Sequence, residues 1–212
     1  MKLFKNLVWL LLMCNNICNS QTKTKKESVK MQENLETATF AGGCFWCTEA
    51  LFLELKGVKT VVSGYIGGQT LNPTYKEVCS GTTGHAEATE IIFDSNIISF
   101  GELLEIFFAT HDPTTLNQQG ADKGTQYRSE IFYHNKEQKE ISENYVSLLL
   151  KEKTFGEGSP ITTKISEASK FYAAENYHQN YYNQNKEQGY CNYVITPKVE
   201  KLKKLFKNKL KN

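Results

Sequence analysis

Phe40-Ala41-Gly42-Gly43-Cys44-Phe45-Trp46-Cys47-Thr48-Glu49-Ala50 is the stretch on which the reading of this chain turns. Before it, Glu36 to Ala41 is β-prone. After it, Cys47, Ala50, Leu51 and Leu55 recur along one stripe at helical spacing. Cys44 therefore falls in a strand-to-helix turn, at or just before a helix N-terminus. Free backbone N–H groups and the positive end of the helix dipole favour the thiolate there. Gly42 and Gly43 let the chain turn sharply and leave room for an approaching molecule. Phe45 and Trp46 add aromatic surface beside the sulfur, so the local chemistry is a reactive thiol next to a small apolar pocket. A buried structural cysteine is the plainer use of such a residue. The paired glycines, and a second cysteine three residues on, argue against it here.

Outward from this stretch, 212 residues at 40% hydrophobic and 12% aromatic suit one globular domain with tails. A net charge of +2 without a basic stripe over the body gives no footprint for nucleic acid, and no apolar run inside the body is long enough to span a membrane. The beginning differs. A basic start through Lys5, an apolar run from Leu7 to Met13 and small polar residues through Ser20 read as a leader over residues 1–20. It is either a signal peptide cut after Ser20 or a lipoprotein leader lipidated at Cys14 or Cys18. The protein is then expected to be exported, periplasmic or membrane-anchored through a lipidated N-terminus. Residues 21–35 are a polar, flexible tether, and residues 36–212 form a single catalytic domain.

Within that domain, strands are expected over Glu36–Ala41, Val58–Tyr65, Ala86–Phe93, Tyr127–Tyr133 and Ile161–Ile165. Helices are expected from Cys44 to Leu55, after Ser99 as cap, and over Lys136–Lys153, with a helical turn at Thr74–Cys79. Tyr190-Cys191-Asn192 reads as loop. Thr196 as cap and Pro197 at the first position open a last, lysine-rich helix running to Lys211, whose basic face is either solvated or set against an anionic membrane. Alternating strands and helices make the class α/β or α+β, with helices on one face of a sheet.

Of the six cysteines, Cys14 and Cys18 belong to the leader. Cys44, Cys47, Cys79 and Cys191 are too few for a disulfide scaffold. A zinc site would want a second close pair, which Cys79 and Cys191 do not form. Redox chemistry is the better use, with no metal or cofactor implied.

Several separate stretches then agree, in order: Gly43-Cys44-Phe45-Trp46, Asn72-Pro73-Thr74-Tyr75, Thr83-Gly84-His85-Ala86-Glu87, His111-Asp112-Pro113-Thr114, Gly120-Ala121-Asp122 through Tyr127-Arg128-Ser129, Tyr177-His178-Gln179 and Gly189-Tyr190-Cys191. Over about residues 37–195 the chain resembles the A-type peptide methionine sulfoxide reductases. The resemblance implies a two-layer ferredoxin-like α/β sandwich wrapped by a long C-terminal coil. It implies Cys44 as the nucleophile on the sulfoxide sulfur and Glu87 as a protonated acid on the sulfoxide oxygen. Tyr75, Tyr127 and Asp122 would belong to the same polar site, and Phe45 and Trp46 would cradle the S-methyl group. The chemistry asks for these types. Sulfoxide oxygen leaves only if it takes up protons, and a buried carboxylic acid kept neutral can supply one.

The resemblance further implies specificity for the S epimer, a Cys44 sulfenic acid, a disulfide formed by a second thiol, and reduction of that disulfide by thioredoxin or a similar dithiol. The chain departs from the commonest pattern at Cys47, where glycine is usual, and at Ala121, where asparagine is frequent. Cys191 occupies the usual resolving position, so Cys191 and Cys47 are both resolving candidates. Oxidised proteins or peptides are the expected substrates, and a monomer the expected state. A thioredoxin-like thiol–disulfide oxidoreductase is the rival reading of Cys44-Phe45-Trp46-Cys47. A binding module with structural thiols is the second. Neither accounts for Tyr75, Glu87 and Tyr127 together.

Overall fold

A computed structural model describes residues 33–211. The leader and most of the tether lie outside the described residues. Leu35, at the tether's end, already opens the first strand, β1 (Leu35–Gly42), and the amide of Asn34 before it donates to Asp94 at 3.2 Å.

β1 is followed by α1 (Phe45–Leu53), β2 (Val58–Ile66), the short α2 (Tyr75–Cys79), β3 (Ala86–Asp94) and α3 (Phe100–Thr110). α2 and α3 both begin with a capping box. Thr74 and Ser99 each accept from the amide three residues on, and the Glu77 and Glu102 carboxylates each accept in return. Next come a tiny hairpin, β4 (Gln118–Gln119) and β5 (Asp122–Lys123), then β6 (Ser129–Tyr133) and α4 (Lys136–Lys151). The expected strand at Tyr127 starts two residues late, because Thr125–Tyr127 closes into a 3₁₀ turn after Gly124 at φ 141°. β7 (Lys164–Glu167), β8 (Tyr172–Ala173), α5 (Tyr181–Gln184) and α6 (Thr196–Leu205) complete the chain, β7 falling three residues beyond its expected start.

The main sheet runs β7-β6-β1-β3-β2-β8. Its central four strands are antiparallel neighbours in the order fourth, first, third, second of a β-α-β-β-α-β unit, the split arrangement of ferredoxin-like folds. Phe40 on β1 shows why both crossing helices share a face. Its ring lies 5.6 Å from Phe52 on α1 and 5.0 Å from Phe107 on α3. Ala41, one residue on, points to the opposite face, into a small cluster of Ile66, Ala86, Ala88 and Phe132 that Ala168 and Phe171 of the C-terminal coil partly cover.

The C-terminal region departs most from expectation. Cys191 is not in a loop. Helix begins at Gly189, passes through a wide π turn at Cys191–Ile195 and continues into α6, so Thr196 is already helical and caps nothing. Its hydroxyl pairs instead with Tyr182 at 3.0 Å. α6 stops at Leu205, short of Lys211. Beyond it Leu210 bridges to Leu55, Lys209 pairs with Glu102, and the Lys211 ammonium donates to the Leu53 carbonyl at 2.9 Å. Part of the basic tail is thus tied to the body and is not free surface.

Candidate active site

Cys44 occupies the turn between β1 and α1, with φ −56° and ψ 125°, and is 8% exposed. Gly43 before it has φ +92°, and a Cβ there would meet the Gln119 side chain at 2.6 Å. Glycine is required twice over, by backbone handedness and by the close approach of β4. Gln119 is itself clamped, accepting from the Asp112 amide and donating to the Asp112 carbonyl, each at 3.1 Å. Across the hairpin Gln119 pairs with Asp122, so the contact at Gly43 also brings Asp122 to the thiol.

Glu87, near the start of β3, is 1% exposed and accepts from the Phe45 amide at 3.1 Å. Burial lifts its carboxyl to about 8. The Phe45 bond pulls the other way without prevailing, and the neighbouring Asp122 and Cys47 push it further up. At neutral pH the group is a carboxylic acid.

Cys44 and Cys47 lie close enough for each thiol to shift the titration of the other. Burial, then Cys47 and Glu87, raise Cys44 well above the ordinary thiol range. Cys44 draws Cys47 down to about 7 against the effect of burial, with Lys198 and Tyr190 assisting. The two thiols are thus pushed in opposite directions, and the helix terminus alone does not draw the Cys44 thiol down, contrary to expectation. Tyr190 stands over both sulfurs, its oxygen 3.9 Å from Cys47 Sγ while its hydroxyl donates to Asp122 at 2.7 Å.

Aromatic rings cluster beside these groups. Phe45 lies 5.9 Å from Tyr65 and 6.5 Å from Tyr75, and Trp46 stacks on Tyr181 at 3.8 Å. Burial raises both the Tyr75 and Tyr127 phenols, with Glu87 adding to each, so both stay protonated. A thiol, an uncharged acid and two phenols are thus brought together beside a cluster of aromatic rings. That set can attack a neutral polarised group and protonate the oxygen it loses.

A model of the family described as peptide methionine sulfoxide reductase matches residues 36–210. The chain belongs to this family. It is 56% identical over 176 residues to peptide methionine sulfoxide reductase MsrA of Deinococcus radiodurans, covering 83% of this chain and 84% of that one. It is 52% identical over 178 residues to MsrA of Acinetobacter baumannii, covering 84% of this chain and all of that one. Among solved structures it resembles methionine sulfoxide reductase A of Corynebacterium diphtheriae, with a TM-score of 0.70 and 36% identity over 77% of this chain and 80% of that one. It also resembles the reduced form of Mxr1 from Saccharomyces cerevisiae, with a TM-score of 0.65 and 34% identity over 74% and 89%.

In this methionine sulfoxide reductase the fold gathers Cys44, Phe45, Trp46, Cys47, Tyr75, Glu87, Asp122 and Tyr127 from four separate stretches of chain. Cys191 is fully buried in the π turn, and burial raises its thiol, with Cys47 adding to the effect. Cys79 is exposed, with its thiol against the Tyr75 hydroxyl.

Four residues of the site carried no assigned role in the sequence. Tyr190 touches both the thiol pair and Asp122. Glu175 accepts from the Tyr75 amide and the Tyr65 hydroxyl, each at 2.9 Å, and so seats α2. Glu49, 1% exposed on α1, accepts from the Asn180 and Tyr181 amides and pins the coil that carries Tyr181 under Trp46. His178 accepts from the Trp46 indole at 3.1 Å. Tyr190 and His178 lie in stretches that carried the resemblance. Glu49 and Glu175 had no signal, since an isolated glutamate reads as surface.

Proposed function

We propose that this chain reduces methionine-S-sulfoxide, free or in oxidised proteins, back to methionine. The Cys44 sulfur attacks the sulfoxide sulfur while Glu87 passes its proton to the sulfoxide oxygen, with Tyr75 and Tyr127 donating hydrogen bonds to that oxygen. Asp122, held by Tyr190, completes the polar wall, and Phe45 and Trp46 enclose the S-methyl group. Oxygen ends on Cys44 as a sulfenic acid, and the substrate leaves as the thioether, with thiol oxidised and sulfoxide reduced. A second thiol, from Cys47 or Cys191, displaces the oxygen as water and forms a disulfide. Thioredoxin or a similar dithiol then reduces that disulfide by exchange. With residues 1–20 read as a leader, the reductase acts in an exported or anchored state and draws on a dithiol carrier there.

The observation that carries this reading is Glu87, buried, neutral and bonded to the amide that follows the nucleophile. Thiol–disulfide exchange proceeds between thiolate and disulfide without an acid, whereas expulsion of a sulfoxide oxygen requires one. The test is turnover of single-epimer methionine sulfoxide peptides with dithiothreitol. The S epimer should be reduced and the R epimer left untouched. Disulfide reductase activity on insulin, without any sulfoxide reduction, would overturn the reading.

A further inference from the structure

His178 stands at the centre of the aromatic wall. Its ring lies 4.4 Å from Tyr75, 5.1 Å from Phe45, 5.5 Å from Trp46 and 4.2 Å from Tyr177. It is 1% exposed. An indole N–H only donates, so the 3.1 Å contact from Trp46 Nε1 requires His178 Nδ1 to be unprotonated. Neutral imidazole then carries its proton on Nε2. Among the described residues that atom has no hydrogen-bond partner, and the Glu175 carboxylate oxygen is 3.9 Å away, beyond hydrogen-bond reach.

A buried imidazole with one nitrogen satisfied only by Trp46 has a specific reason to stay in one tautomer. Trp46 is the wall of the methyl recess that follows Cys44 by two residues. Its indole plane is set by Tyr181, stacked at 3.8 Å with an 8° interplanar angle. Stacking fixes the plane but leaves the ring free to slide within it. The bond to His178 removes that freedom. Both partners sit on the coil that Glu49 pins through the Asn180 and Tyr181 amides. The wall is therefore located by one stack and one directional bond, from a segment about 130 residues downstream in the chain.

We propose that His178, as the Nε2–H tautomer, is a positioning residue that fixes Trp46 and through it the recess for the sulfoxide's methyl group. The proposal rests on the sulfoxide reductase reading. His178 touches no reacting atom, so its loss should weaken substrate capture more than it slows the chemistry at Cys44.

The test is single-turnover kinetics of the full, reduced chain with a methionine-S-sulfoxide peptide, reading half-saturating concentration and plateau rate separately. His178→Ala should raise half-saturation about tenfold, as expected for losing one well-aligned buried hydrogen bond, with the plateau within about threefold of wild type. His178→Gln should restore half-saturation, because its carbonyl oxygen can accept from the indole. In a Trp46→Phe background, which lacks the N–H, His178→Ala should have no further effect. If alanine leaves the chain unfolded, His178→Phe keeps the ring volume without the acceptor and must show the same split. An unchanged half-saturation, equal loss in the glutamine variant, or an undiminished effect in the Trp46→Phe background overturns the proposal. A wild-type chain that makes no methionine fails the underlying reading instead, so the two failures are distinguishable.

Discussion

The amide of Phe45 donates to the Glu87 carboxyl at 3.1 Å, joining the residue after the nucleophile to the acid on β3, the strand paired with β1. An N–H donor favours the ionised carboxylate, and burial favours the acid. Burial wins, leaving the group near 8. The contact places the proton without taking it away.

Single-turnover sulfoxide reduction should therefore fall as pH rises through about 8, where Glu87 loses its proton. Glu87→Gln should retain slow turnover and lose that alkaline limb. A pH–rate profile unchanged by the substitution would contradict the assignment.

The same shift has a stability consequence. Glu87 is raised in the folded chain, so between the ordinary carboxylate range and about 8 the folded state holds a proton that the unfolded state has released. Stability falls as pH rises across that window, by up to about 1.4 kcal/mol per unit from this group. Urea denaturation at pH 5 and pH 8 should show a larger loss in the wild type than in Glu87→Gln.

Cys44→Ser should leave no measurable methionine formation and an intact fold. Serine matches the thiol closely in shape at this 8% exposed position, but its hydroxyl is neither an adequate nucleophile nor a carrier of the sulfenic acid. Circular dichroism and a single-turnover assay on the same sample decide it, and residual turnover would sink the role.

Cys47 lies one helical turn from Cys44, its amide donating to the Cys44 carbonyl at 3.0 Å, and this gives Cys47 the shorter route to the first disulfide. Cys191 is fully buried in a π turn on a separate segment of chain, without the local tie to Cys44 that Cys47 has. After one turnover without reductant, peptide mapping of Cys191→Ser should still find Cys44 joined to Cys47. Cys47→Ser should slow disulfide formation by about tenfold or more, since proximity is what it removes. Loss of all disulfide in Cys191→Ser would reverse the order.

Gly43→Ala should destabilise the chain by about 2 kcal/mol or more, since it sets a Cβ at φ +92° and 2.6 Å from Gln119. The displaced Gln119 carries the hairpin holding Asp122, so kcat/KM should fall along with the urea midpoint. A midpoint within experimental error of wild type would show that β4 gives way freely.

Much of this protein was determined within short windows of sequence. The strand–turn–helix around Cys44, the capping boxes at Thr74 and Ser99, and the β-prone run that carries Glu87 follow from periodicity, caps and glycines, which act over a few residues at a time. The alternation of elements likewise constrains the sheet before any contact is known. Local rules misplaced what long-range contacts govern. Cys191 reads as loop because the turn that holds it is stabilised by burial against the core, and Thr196 reads as a cap because nothing nearby reveals that helix has already begun. Tertiary structure alone decided the rest: that burial raises Cys44 while Cys47 is drawn down, that Glu87 stays neutral, that Tyr190 bonds Asp122, and that Glu49 and His178 hold a coil and a tryptophan across more than 130 residues of chain. Protonation follows from desolvation, and desolvation exists only once the chain has closed around the group.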